Sequence, residues 1–287
     1  LIITVPASFD EAARDLTIEA AKKAGLYDVV LLEEPLAAFY SWLIRFENSW
    51  RDHISPGELV LVCDVGGGTT DFTLITLRET KGTPRFERIA VGDHLILGGD
   101  NIDLALARQV EQQFGPGANL TADRWKTLCH LCRQAKENIL NMGTDRETIT
   151  MMGEGSSLIG GTLTAELDRG SLEQVVLETF FPIVQRQAAE PEAGTRYISE
   201  FGLPFAADSA ITRHMGLFLE QHRGDVEHFL GSRSPMPDRI LFNGGSLKAA
   251  QIQERIREAI RAWFDKRDES LPGVLENRNL DIAVARG

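Results

Sequence analysis

The chain has 287 residues, 43% of them apolar and 25% charged, with a net charge of −12. A chain of this size buries about three quarters of its unfolded surface, enough for one large or two medium domains, and its composition is that of an ordinary soluble protein. The negative charge argues against nucleic acid or an anionic membrane as the main partner, and no apolar run approaches the roughly 20 residues of a membrane span.

Leu1 to Val5 reads as a strand placed mid-sheet, without the basic leader of a signal peptide, so the chain is expected to begin inside a domain. Ser8-Phe-Asp-Glu11 has capping-box spacing, and Ala12, Ala13, Leu16, Ala20 and Ala24 follow at helical intervals. Gly25 suits the position just past that helix. Tyr27 to Leu32 returns as a strand, giving a βαβ unit with a parallel pair. Pro35 suits the first turn of a helix reaching about Phe46, and Glu47 to Gly57 is polar. Two strands flank Gly66 to Gly68, and Arg85 to Val91 extends their sheet. Gly98-Gly99 opens a helix with Ile102, Leu106 and Val110 on its apolar face. Gly115-Pro-Gly117 breaks it, and Thr121 or Asp123 caps the next helix, which ends near Leu140. Short strands joined by tight turns are expected between Glu147 and Leu167, then a long helix from about Ser171 to Ala189. Glu190 to Thr195 has loop composition and marks an internal boundary. Ala206 to His222 reads as an amphipathic helix with Ile211, Met215, Phe218 and Leu219 on one face, and Ser232 to Pro237 is a second break. Arg239 to Asn243 is a buried-type strand, Gly244-Gly245 a turn and Ala249 to Phe264 a helix. That layout presents helix-terminal N–H groups to a phosphate or ribose.

The chemistry concentrates in Val60 to Leu77. An apolar run carries Asp64, turns through Gly66, Gly67 and Gly68 and the hydroxyls of Thr69 and Thr70, and resumes behind Asp71. Consecutive glycines let the backbone approach a ligand closely, and their successive N–H groups form an anion-binding nest. Two carboxylates beside a phosphate repel it unless a cation lies between, so nest and aspartates together read as a magnesium–nucleotide site. Asp64 and Asp71 would hold Mg2+ through water, because this ion rarely surrenders its whole hydration shell. The plainer alternative is a tight hairpin whose acids face water. Cys63, Cys129 and Cys132 make no disulfide framework and fit a reduced compartment. Cys129-His-Leu-Cys132 lies inside a helical pattern with no second ligand pair, so both thiols are expected in the core.

Asp64-Val-Gly-Gly-Gly-Thr-Thr-Asp71 resembles the second phosphate-binding hairpin of the actin-like ATPases. Val5-Pro-Ala-Ser-Phe9, Arg14, Glu34-Pro-Leu-Ala-Ala38, Leu97-Gly-Gly-Asp-Asn-Ile-Asp103, Arg133-Gln-Ala-Lys-Glu-Asn138, Leu241-Phe-Asn-Gly-Gly-Ser246 and Asp281-Ile-Ala-Val-Ala-Arg-Gly287 continue, in order, a likeness to the DnaK-type chaperones, the 70-kDa heat-shock proteins. The resemblance implies an α/β, actin-like ATPase (ribonuclease H-like) fold of mixed sheets flanked by helices, mostly its second lobe. Residues 1–58 would be the end of the first lobe with its crossing helix, and 59–287 the second lobe, with an atypical insertion at about 190–237. It implies ATP or ADP with Mg2+ as cofactors and makes Glu34, Asp64, Thr69 and Asp71 the catalytic set. Thr69 would lie near the γ-phosphate, and Glu34 would orient the attacking water. Gly98, Gly99, Lys136, Gly244, Gly245, Ser246 and Asp281 would border the nucleotide. Pro6 and Arg14 match a relay from the nucleotide to an attached substrate-binding domain. Arg133, Leu140 and Leu247-Lys248 depart from the family pattern around the adenosine.

The resemblance also implies clients among unfolded polypeptides, co-chaperones or an exchange factor, and a cytoplasmic place in protein folding and stress response. The family's first phosphate hairpin and phosphate-binding lysine find no match in these residues, so weak nucleotide binding and little hydrolysis are expected of this piece alone. Two rival readings are a nucleotide-gated scaffold or exchange factor that does not hydrolyse ATP, and a small-molecule kinase of the same superfamily.

Overall fold

A computed structural model describes residues 1–115, 120–152, 161–186, 208–265, 270–277, 280 and 283–286. In chain order the elements begin with β1 (Ile2–Val5), α1 (Glu11–Lys23), β2 (Val30–Glu33), α2 (Glu34–Arg45), β3 (Leu59–Val65), β4 (Thr70–Thr80), β5 (Thr83–Val91) and α3 (Gly99–Gln113). They continue with α4 (Ala122–Glu137), β6 (Arg146–Met152), β7 (Thr162–Asp168), α5 (Arg169–Glu173), α6 (Ile211–Gln221), α7 (Arg223–Leu230), β8 (Arg239–Asn243), α8 (Ala250–Trp263), β9 (Gly273–Leu275) and α9 (Ala283–Arg286).

β1 and β2 pair in parallel around α1, as the βαβ pattern requires. The cap of α1 is Asp10, whose carboxylate accepts from the Ala13 N–H at 2.8 Å, and not Ser8. Asp10 stands immediately before the first helical residue, whereas Ser8 lies in the preceding turn, its hydroxyl 3.4 Å from Asp71 Oδ1. Leu26 and Gly25 N–H groups close the helix onto the Ala21 and Lys22 carbonyls, with Gly25 at φ 85°.

The central sheet runs β5-β4-β3-β8-β9, antiparallel from β5 to β3 and parallel from β3 to β9. This mixed sheet flanked by helices is the architecture expected of the actin-like class. β3 alternates strictly: Leu59, Leu61, Cys63 and Val65 face α3, α4 and α8, while Val60 and Val62 face Phe39 and Trp42 of α2. Both faces are therefore covered, which explains why the strand is apolar at nearly every position. Trp50 and Ile54, in the stretch read as polar, are buried and seal the α2 face. Cys132 is buried within α4, its thiol pushed up to about 12 by burial, and Cys129 packs partly buried against the same core.

Several boundaries differ from expectation. The helix expected to reach Ala189 ends at Phe180, where Pro182 follows and cannot donate to it. The loop at Glu190 to Thr195 lies outside the described residues. α6 starts at Ile211, and its face of Ile211, Met215, Phe218 and Leu219 is buried as read. α7 and β9 were not foreseen. Phe218 stacks on Phe72 of β4 at 5.8 Å, and Gly216 lies flat against the Trp263 indole of α8. Among the described residues no helix is long and apolar enough to cross a membrane.

A Cβ on Gly216 would sit 2.4 Å from the Trp263 ring, which is 3% exposed and cannot swing away. Gly216→Ala is expected to destabilise the protein by about 1–2 kcal/mol, since overpacking outweighs the helix-propensity gain. Chemical denaturation reads this directly, and an unchanged or raised midpoint would place α6 off the domain.

Candidate functional site

The polar end of β3 is where three glycine turns meet. Register sets Asp64 opposite Asp71 on β4 and opposite Asn243 on β8. Gly66 N–H donates to the Thr69 carbonyl at 2.9 Å, closing the hairpin. The Gly66 and Gly67 carbonyls accept from the first N–H groups of α3, Gly99 at 3.0 Å and Asp100 at 2.7 Å. Ser246 Oγ donates to the same Gly66 carbonyl at 2.9 Å. With its carbonyls tied inward, the turn is left with the N–H groups of Gly67, Gly68 and Thr69, which have no protein acceptor among the described residues. That is an open anion cradle. The interlock tolerates no side chain at its tightest points: a Cβ on Gly98 would lie 2.6 Å from the Gly67 carbonyl oxygen, and one on Gly244, at φ 85°, 2.2 Å from that of Val65.

On one side of the cradle stand the acids. Burial, with a further push from Asp71, raises the Asp64 carboxyl from 3.8 to about 6, although Asn243 Nδ2 donates to its Oδ2 at 2.6 Å. Burial and then the charges of Asp64 and Asp71 also push up Glu34, the first residue of α2, with His94 opposing them. His94 Nδ1 lies 2.9 and 3.1 Å from the two oxygens of Asp71. Asp64 and Glu34, both raised by burial and by neighbouring carboxylates, stand beside the cradle, where a positive charge would lower both. Among the described residues no three side chains converge closely enough to ligate a metal directly. Asp64 and Asp71, paired across β3 and β4, are hard oxygen donors of the kind that would hold a hydrated Mg2+ through water.

On the other side a cleft of about 180 Å³ opens between α3, α4 and α8. It is lined by eight of the residues read as nucleotide contacts, namely Gly67, Gly99, Arg133, Lys136, Leu140, Gly245, Ser246 and Lys248. Asp103, 2% exposed, pairs with Lys136 at 2.7 Å and with Arg133 Nε at 2.7 Å, while Arg133 also reaches Asp100. The departure at Arg133 is therefore compensated within the cleft by two aspartates. Leu247 is fully buried in the core, which accounts for an apolar residue there.

Two of the residues read as nucleotide contacts lie away from the open side. Thr70 is fully buried, and its hydroxyl donates to the Leu97 carbonyl at 2.7 Å. Gly98 does not line the cleft; it is buried beneath the hairpin, and the Gly99 amide is spent on Gly66. Asp281 lies outside the described residues. Pro6 sits half-buried in the turn after β1, its carbonyl accepting from Phe9 N–H at 3.1 Å. Arg14 binds the Phe9 carbonyl and, at 2.8 Å, Glu33, which Arg88 of β5 also contacts. Glu33 thereby ties the β1–β2 unit to the central sheet. Asn243, His94 and Asp103 were missed as site residues. For Asn243 the available signal was a polar residue ending an apolar strand just before Gly244-Gly245.

Burial raises Asp64 from 3.8 as a free side chain to about 6 in the fold, so the fold holds the extra proton and loses stability as pH rises through that window. Asp64→Asn is expected to leave stability nearly unchanged at pH 4 and to raise it by about 1–3 kcal/mol at pH 8 without magnesium. Thermal unfolding of the two proteins across this range checks it, and a lower Tm for the variant at pH 8 contradicts it.

Comparison with known proteins agrees with this arrangement. The family model described as Hsp70 protein matches residues 1–189. The Chaperone protein HscA homolog of Delftia acidovorans is 31% identical over 288 residues, covering 100% of this chain and 35% of the relative. That of Pseudomonas putida is 30% identical, covering 99% and 43%, and that of Azotobacter vinelandii is 39% identical, covering 86% and 36%. The chain thus spans between about a third and two fifths of the length of these relatives. A family model matched over residues 1–189, together with the hairpin, cleft and mixed sheet, shows that this chain belongs to the Hsp70 family.

Proposed function

We propose that this chain forms most of the second lobe of an ATP-binding unit that drives a chaperone of the 70-kDa heat-shock type. The observation that carries the reading is the cradle of Gly67, Gly68 and Thr69 amides, set between a carboxylate pair and the cleft of about 180 Å³. The phosphate chain would lie on those amides, with Thr69 beside its end and the nucleoside reaching toward Lys136, Arg133, Leu140, Gly245, Ser246 and Lys248. Asp64 and Asp71 would hold Mg2+ through water, and that ion would neutralise phosphate charge. Glu34, its carboxyl raised by burial and by both aspartates, would orient a water molecule and take up its proton. Arg14 and Glu33, bridging the β1–β2 unit and β5, would pass the state of this site toward a peptide-binding domain. Slow hydrolysis would then switch affinity for unfolded polypeptide, with co-chaperones or an exchange factor acting on the cycle. The relatives' printed names, all chaperones, support this reading.

One observation favours a second reading, a nucleotide-gated scaffold. Arg133 is clamped between Asp100 and Asp103, so the cleft's charge is already balanced before any ligand enters. Single-turnover hydrolysis with the intact protein in excess separates the two. The ATPase reading expects a burst of phosphate within minutes, with Glu34→Gln and Asp71→Asn each slowing it about a hundredfold while nucleotide affinity changes only a few-fold. Binding without any burst favours the scaffold, and absence of Mg·ATP binding overturns both.

A further inference from the structure

Asn243 ends β8 at the last register position shared with β3, directly opposite Asp64. Its side chain is 3% exposed, so it is part of the interior and not of the cleft wall. The amide nitrogen donates to Asp64 Oδ2 at 2.6 Å, while the amide oxygen is buried with no protein partner among the described residues. An apolar residue of similar size would avoid that unpaired oxygen, and β8 is otherwise apolar from Ile240 to Phe242. Stability alone therefore does not account for an amide here.

Its one bond acts on the carboxylate. An Asp side chain at the end of a strand can rotate, and its two oxygens exchange places on rotation. A donor fixed on Oδ2 removes that freedom. Oδ1 receives no protein donor among the described residues and lies near Gly244, where a Cβ would come within 2.8 Å of it. Asp71, across β4, supplies only like charge and cannot orient Asp64.

We propose that Asn243 is a positioning residue that locks the Asp64 carboxylate so that Oδ1 alone is presented to the hydrated magnesium ion. The inference rests on the reading of Asp64 and Asp71 as holders of that ion. It predicts that Asn243 governs magnesium dependence and has no part in nucleoside contacts, which lie across the cradle in the cleft.

The test uses the intact protein and compares Asn243→Val with Asn243→Thr, which match in shape while only threonine keeps a donor. Calorimetric ADP binding is measured over a series of Mg2+ concentrations and in EDTA, beside Tm without ligand. The valine variant is expected to need about tenfold more Mg2+ for half-maximal tightening, as befits loss of a hydrogen bond to a charged group. Threonine should remain within about threefold of the natural protein, and ADP affinity in EDTA should be the same for all three. Tm should be no lower for valine than for threonine. Equal Mg2+ dependence in the two variants, or a loss of affinity that persists in EDTA, overturns the proposal while leaving the nucleotide reading intact. Failure of the natural protein to bind Mg·ADP overturns both. Asn243→Leu, an apolar near-match in shape, gives the same comparison should the valine variant unfold.

Discussion

The site depends on how the hairpin's carbonyls are disposed of. A turn of three glycines has no intrinsic reason to point its N–H groups outward, because its backbone can adopt many conformations at little cost. Here the first two amides of α3 capture the Gly66 and Gly67 carbonyls, and Ser246 adds a second donor to Gly66. The remaining amides are thereby left facing the open side. The same bonds cap the N-terminus of α3, whose orphan N–H groups need acceptors. One set of hydrogen bonds shapes the cradle and anchors the helix that forms a wall of the cleft.

Getting carboxylates to the edge of that cradle is the work of β3. A strand covered on both faces has little solvent to offer a charge, and Asp64 stands where that strand is ending, with Asn243 bound to one of its oxygens. Burial first, and then neighbouring carboxylate charge, pushes up Asp64 and Glu34, a cost that positive charge at this edge would offset. The cleft on the other side shows the opposite arrangement. Arg133 and Lys136 are matched there by Asp100 and Asp103, and Lys136 is buried beside them. A nucleoside would enter a neutral, pre-paired surface, while the phosphates meet bare amides and a cation-seeking acid pair.

Much of this was legible in the sequence because the signals are local. The hairpin, the Gly98-Gly99 helix start, the Gly25 stop and the strand before Gly244-Gly245 each announce themselves within a few residues. So was the cleft's membership, once the ordered blocks had been matched to a family. What escaped was decided by contacts between distant segments. Nothing near Thr70 says that its hydroxyl serves Leu97, and nothing near Arg133 reveals the waiting aspartates of another helix. Asn243 meets Asp64 across 179 positions of sequence. β9, of three residues, is a strand only because β8 lies beside it. Asp10 and Ser8 both suit a cap, and the choice turned on which one stood next to the first helical turn.

The central claim is that the amides of Gly67, Gly68 and Thr69 receive the phosphate chain of a magnesium nucleotide. Amide NMR of the intact protein during a titration with Mg·ADP addresses it most directly. The account expects those resonances to shift first and furthest, saturating together with signals from the Arg133 and Lys136 side chains. Cleft signals that move while the hairpin amides stay fixed would contradict it.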